Sequence, residues 1–335
     1  MKRITQLDGT RGLAILAVFF HHAFHLKLLW AGVDLFFILS GFLITGVLLS
    51  AKRHSLSGYF AHFYSRRARR ILVPYLLSIL ALSLFFGFAW ATHWYFYLGL
   101  TNFLLPLNIP HPEAFDPLWS LAVEEQFYVV WPFAVYFLSE RHLALFATTL
   151  VLLAPLLRAI FHFQEHWAVY MLTPFRMDLL AVGSLLFLVY KNRASLLERW
   201  GLLCGGITFC VGVASLWVLS RFGVSTYGNT RIGNVLIFES ALLVCLGIAL
   251  WALSGRYVAP LQSTLLRYIG KISYTMYLVH LGVLLVVAHW LSPTMTAIVG
   301  LVVTVGYASL SWVVLERPLL KAGHAGKRLS GAVQS

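Results

Sequence analysis

Apolar residues run along this chain in blocks too long and too continuous for one face of a soluble helix. Ten blocks stand out, at 11–29, 32–50, 71–90, 118–138, 142–161, 175–190, 202–219, 234–253, 272–290 and 295–315. Each approaches the roughly 20 residues that carry a helix across the hydrocarbon of a bilayer. The expected fold is therefore an all-α polytopic membrane protein with about ten transmembrane helices. A further stretch, 93–105, is short for a span and predicts a re-entrant or interfacial helix. In the loop 51–70, the stretch from Ser57 to Arg70 carries Tyr59, Phe60, Phe63 and Tyr64 beside four arginines, which reads as an interfacial amphipathic helix. The segment 91–117 has no Lys or Arg, is rich in aromatics, and carries Pro106, Pro110, Pro112 and Pro117. It is expected to form an outer mouth or lid. With no internal repeat or linker, residues 1–320 read as a single transmembrane domain and 321–335 as a disordered tail.

Composition agrees with a membrane class. Of 335 residues 60% are hydrophobic and 11% charged, with a mean hydropathy of +0.81. The net charge of +13 looks at first like a nucleic-acid signal. Its distribution points to topology and anionic lipid instead, and no nucleic-acid partner is expected. With ten spans, 20 of the 25 Lys and Arg fall on the side of the two termini, leaving Lys27, Arg158, Arg176, Arg221 and Arg231. Both ends are thus expected in the cytoplasm. An eleventh span at 93–105 would carry Lys191, Arg193, Arg199 and the basic C-terminus outside. Cys204, Cys210 and Cys245 all lie in apolar blocks and read as small core residues. No removable signal peptide is apparent behind Lys2 and Arg3.

Ionisable groups at membrane depth are costly and therefore candidates for chemistry. Arg11 and His22 share one block, eleven residues apart, or about 16 Å along a helix at roughly 1.5 Å per residue. His22, beside His21, is a candidate general base; the alternative is a buried histidine bonded to a neighbouring helix. Glu124 and Glu125 lie about two turns into the next external entry, Trp119 to Tyr128. Glu124 is placed to orient an imidazole, or to pair with Arg176 or Arg231. Arg66, Arg67, Arg69 and Arg70 precede Ile71; they suit phosphates or anchor the chain in lipid headgroups. Arg176 and Asp178 cannot pair face to face within one helix, so each needs another partner or a substrate. Ser273, Tyr277 and His280 share a helical face by their spacing, as a structural stripe or as part of a site. No Walker loop, dinucleotide fingerprint or metal-ligand spacing is present, and no metal is expected.

The runs LDGTRGLAILAVFFHH, GVDLFFILSGFLIT, RRARRILVPY, LWSLAVEEQFYVVWP, FRMDLLAVG and GKISYTMYLVHLGVL, in this order over residues 7 to about 284, resemble the acyltransferase-3 family of bacterial integral-membrane O-acyltransferases. The resemblance implies transfer of an acyl group, commonly acetyl, from cytoplasmic acyl-coenzyme A to a hydroxyl of a carbohydrate or glycoconjugate outside the bacterial inner membrane. Residue by residue it places donor binding on Arg11, Arg67 and Arg70, and catalysis on His22 and Glu124. Ser120 falls in the same Ser-x-x-x-Glu run as Glu124; with Asp34, Arg176 and Asp178 it is expected on the acceptor side. Departures are small: Thr10 replaces a larger apolar residue, and one extra residue separates Ile71 from Pro74. Family members often carry a C-terminal hydrolase-like domain, which is not expected in a chain ending at Ser335. Direct transfer and an acyl-histidine intermediate both remain open, as do the acceptor and the oligomeric state. The competing class is a transporter or flippase of a polar or lipid-linked glycan. It would more often show two related halves with broken helices, and no such halves are visible.

Overall fold

The computed structural model describes residues 4–87, 94–161, 166–224 and 230–319. Over these it is all-helical, with eleven α-helices: α1 (Thr5–Phe24), α2 (Gly32–Ala51), α3 (Leu56–Phe86), α4 (Leu118–Phe137), α5 (Glu140–Ile160), α6 (His166–Met171), α7 (Met177–Asn192), α8 (Ala194–Arg221), α9 (Arg231–Ser254), α10 (Thr264–Ala288) and α11 (Pro293–Ser311). Ten are long and correspond to the ten apolar blocks. Seven described helical stretches are long and apolar enough to cross a membrane, and the chain is a polytopic membrane protein. The three long helices outside that set are α1, α4 and α7. These are the ones that carry Arg11, Glu124 and Asp178 inside.

Two expectations change in detail. The amphipathic stretch from Ser57 and the block from Ile71 form one unbroken helix, α3, of 31 residues with Pro74 inside it. The reason is burial: Tyr59 is fully enclosed and its hydroxyl donates to the Pro132 carbonyl at 3.0 Å. Tyr64 donates to the Val129 carbonyl at 3.2 Å. The aromatic residues of this stretch thus lie along α4, with Phe60 against Phe133 and Arg67 over Tyr128. Over 94–105 the expected short helix gives way to two 3-10 turns, Trp94–Phe96 and Thr101–Phe103. Side chains of the flanking helices hold them: Tyr75 donates to the Phe96 carbonyl at 2.9 Å and Gln126 to the Gly99 carbonyl at 2.9 Å. The tail at 321–335 lies outside the described residues.

Helix α2 is central. In its most apolar stretch 72% of residues are buried, against 17% in α8. It packs on α1, α4, α7 and α9, while α8 turns Leu203, Ile207, Val211 and Trp217 outward, as a lipid-facing helix would. The α2–α7 crossing is close because it uses glycine. A Cβ on Gly41 would strike the Leu180 carbonyl, and one on Gly183 would strike the Ile38 carbonyl. Polar ties cross the same region: Trp131 Nε1 donates to Thr45 Oγ1 at 2.9 Å, and Thr45 Oγ1 to Ser184 Oγ at 2.9 Å. Helix α1 lies against α10 by the same device, with Gly12 and Gly270 at the contact. That pairing brings His22 and His280 together.

Candidate active site

The last turn of α1 delivers His21 and His22, and α10 delivers Tyr277 and His280. The His22 and His280 rings meet edge to face with centroids 4.9 Å apart. Their hydrogen bonds fix the tautomers. His280 Nδ1 lies 2.7 Å from the Tyr277 carbonyl, which only accepts, so Nδ1 carries the proton and Nε2 the lone pair. His22 Nδ1 lies 2.9 Å from the Val18 carbonyl and 3.3 Å from His280 Nε2. It therefore carries a proton shared between two acceptors. His22 Nε2 is left as the basic nitrogen, on a ring that lines a cavity of about 730 Å³. Such a volume suits a small-molecule or sugar-sized ligand.

Glu124 stands elsewhere. Ser40 Oγ donates to its Oε1 at 2.5 Å and Tyr128 to its Oε2 at 2.7 Å. The expected bond from Glu124 to His22 is not made; His280 and the Val18 carbonyl occupy that role. Glu124 instead lines a second cavity, of about 50 Å³, with Arg11, Ser40, Ser120 and Ser273. That volume takes a water or two. Tyr277 and Val33 line both cavities and divide them. The Tyr277 hydroxyl is pinned by Ser120 Oγ at 2.6 Å and by the Pro117 carbonyl at 2.9 Å. Ser120, expected on the acceptor side, is thus part of the partition.

Behind Glu124 lie the arginines. The Arg67 guanidinium sits 4.1 Å over the Tyr128 ring, a cation–π contact. Arg11 feels the charges of Glu124 and Arg67, and Arg70 those of Arg11 and Arg67. Among the described residues none of the three forms an ion pair with a carboxylate. The Nε atoms of Arg11 and Arg67 are buried without a hydrogen-bond partner. Three cations brought together with donors to spare form an anion site in waiting. Glu316, on the π-helical turn Trp312–Glu316, accepts from Thr275 at 2.7 Å and faces Arg70 and Arg11 electrostatically.

Asp34, Arg176 and Asp178 line neither cavity. Arg176 donates to Asp34, and both are fully buried. Arg158 donates to Asp178 at 2.6 Å, to Glu239 at 2.5 Å and to the Phe175 carbonyl at 2.5 Å. The partners that sequence spacing required for Arg176 and Asp178 exist, and they are internal. Charges at this depth are retained by neutralising one another, which leaves these three without a face toward an acceptor.

Several site residues carry no distinctive motif. Trp30, Trp119, Trp167 and Tyr170 wall the large cavity, and Glu113 and Asp116 lie toward its edge. Near them His111 places Nε2 2.8 Å from Asp116 Oδ1 and Nδ1 2.7 Å from the Ile109 carbonyl. Burial disfavours the imidazolium, but the two acceptors outweigh it and hold His111 above its ordinary pKa.

Comparison with known proteins gives this arrangement a lineage. A family model described as an acyltransferase domain matches residues 4–316. The chain belongs to the acyltransferase-3 family. It is 30% identical to the peptidoglycan O-acetyltransferase OatA of Listeria monocytogenes, over 96% of this chain and 56% of that protein. It is 30% identical to the putative peptidoglycan O-acetyltransferase YrhL of Bacillus subtilis, over 96% of this chain and 55% of the relative. To the O-acetyltransferase OatA of Staphylococcus aureus it is 25% identical, over 95% and 57%. The chain thus spans little more than half the length of these relatives. No solved structure matches it.

Proposed function

We propose that this membrane acyltransferase moves an acetyl group from acetyl-coenzyme A, held at the arginine cluster, to a hydroxyl of a carbohydrate or glycoconjugate in the large cavity. The observation that carries the proposal is the placement of His22. Its Nε2 is held basic on a ring facing a ligand-sized cavity, one partition away from three arginines that form no ion pair among the described residues. Arg11, Arg67 and Arg70 bind the donor's phosphates; Glu124, fixed by Ser40 and Tyr128, positions Arg11 and Arg67. The termini and the arginines face the cytoplasm of a bacterial cell, and the cavity faces outward, in accord with the loop charge. The acceptor oxygen attacks the thioester carbonyl while His22 Nε2 takes its proton. The new C–O bond forms, the C–S bond breaks, and the proton passes to the departing thiolate. A cavity of 50 Å³ is too small for the donor arm, so Tyr277 and Ser120 shift to admit it.

The test is transfer and hydrolysis of radiolabelled acetyl-coenzyme A by purified protein in proteoliposomes. His22→Ala should lose turnover, by a factor of about 10² or more, and keep coenzyme A binding. Arg67→Ala and Arg70→Ala should do the reverse and raise the donor KM. Equal turnover in His22→Ala removes His22 from the role of base. Ping-pong kinetics would put the acetyl group on His22 itself. Failure of the wild type to bind coenzyme A would turn the reading toward a transporter.

A further inference from the structure

The cavity around His22 has a lining chemistry that goes further than its volume. Trp119 and Trp167 both pack on Tyr170, with ring centroids 4.9 Å and 6.2 Å apart and planes tilted by 50° and 69°. This builds an aromatic wall of several orientations. Aromatic faces carry negative partial charge and meet the slightly positive C–H faces of sugar rings. Glu113 and Asp116 add carboxylates at the same cavity, and an ionised carboxylate can only accept. Sugar hydroxyls supply the matching donors. One Asp116 oxygen is already taken by His111; Glu113 and Asp116 both line the cavity. Among the described residues lining the cavity there is no Lys or Arg; the only basic side chains are His21, His22 and His25. The cations that could hold an anionic ligand lie behind Tyr277 or are consumed: Arg11 lines the small cavity, and Arg158 and Arg176 are buried in ion pairs.

We propose that this cavity is the acceptor site and that it selects uncharged sugar rings: Trp119 and Trp167 stack on the ring, Glu113 and Asp116 accept its hydroxyls, and the lack of a Lys or Arg among the described lining residues rejects uronic acids and phosphorylated sugars. The inference rests on the acyltransferase reading above and names the acceptor class for the same site. Selection here is negative as much as positive. A carboxylate on the acceptor meets Glu113 and Asp116 with no Lys or Arg among the described lining residues to offset the repulsion.

The experiment uses proteoliposomes at pH 8, where free histidine is neutral, with labelled acetyl-coenzyme A. The acceptors are chitotetraose and maltotetraose, each with and without C6 oxidation of alternate rings to the uronic acid, which leaves the C6 hydroxyls of the neighbouring rings, and each acid also as its neutral methyl ester. Hydrolysis of acetyl-coenzyme A without acceptor is recorded in parallel. Transfer to at least one neutral tetramer is expected, falling about tenfold or more from the methyl ester to the free acid. Trp167→Ala should raise the acceptor KM about tenfold and leave the donor KM unchanged. Glu113→Gln should narrow the gap between neutral and oxidised acceptors. Equal use of neutral and oxidised acceptors overturns the proposal. So does a Trp167→Ala variant with wild-type acceptor KM, or no transfer to either neutral tetramer while hydrolysis persists. Loss of both hydrolysis and coenzyme A binding in the wild type would strike the acyltransferase reading itself.

Discussion

Asp34 offers a decisive choice between a binding role and a structural one. It is fully buried, and among the described residues it is the only group bonded to the Arg176 side chain. Arg176 Nε and Nη1 have no hydrogen-bond partner, and the guanidinium otherwise meets ring faces, Phe238 at 4.7 Å and Tyr170 at 5.4 Å. Asp34→Asn keeps the shape and strands the cation. Breaking a buried pair from one side costs about 3–5 kcal/mol. That corresponds to roughly two to three and a half decades in the unfolding equilibrium, at about 1.4 kcal/mol per decade. Arg176→Met strands the anion at similar cost. The double variant removes both charges and should recover several kcal/mol of the sum of the two. The assay is reversible unfolding in mixed detergent micelles, with donor and acceptor KM measured on the folded fraction. Single variants as stable as wild type, with a raised acceptor KM, would refute the structural assignment and return Asp34 to the substrate.

Two further outcomes follow from the site. His280→Asn removes the acceptor that shares the His22 Nδ1 proton; kcat should fall about tenfold with a displaced pH–rate profile and an unchanged donor KM, whereas a purely structural role would leave the profile in place. His111 is held above its ordinary pKa of 6.5, so its stabilising contribution is complete below pH 6.5 and is lost as pH rises through the raised value. His111→Gln should flatten that part of the stability-versus-pH curve, and an unchanged curve would show that the His111–Asp116 pair contributes nothing.

How much of this was legible in the sequence depended on distance along the chain. Arg11 and His22 share a helix, so their separation could be read from spacing alone, and Ser273, Tyr277 and His280 were visible as a face. Depth, however, does not fix the direction in which a side chain points. Glu124 lies at the level expected for a partner of His22, but its carboxylate points to Ser40 and Tyr128. His280 takes the place beside His22 because Gly12 and Gly270 let α1 and α10 approach. The partners of Arg176 and Asp178, 142 and 20 residues away, could be required but not chosen. The aromatic wall escaped notice because single tryptophans in an apolar chain carry no periodic signal. The unbroken α3 was missed because charge density at Arg66–Arg70 marks a membrane boundary, not a helix end.

The Tyr277 partition bears on how such a reaction meets the membrane voltage. A charge driven through a bilayer gains or loses about 2.3 kcal/mol per 100 mV. In the proposed orientation, where water reaches the large cavity from one side and the arginines from the other, most of that field falls across the thin layer at Tyr277 and Val33. In the proposed reaction the phosphates stay with Arg11, Arg67 and Arg70. An acetyl group passes outward as the acceptor's proton passes inward to sulfur, and the exchange is electroneutral. The layer can therefore be thin enough for one thioester to span and still carry no current, so the cell can acetylate outside its membrane without drawing on its potential.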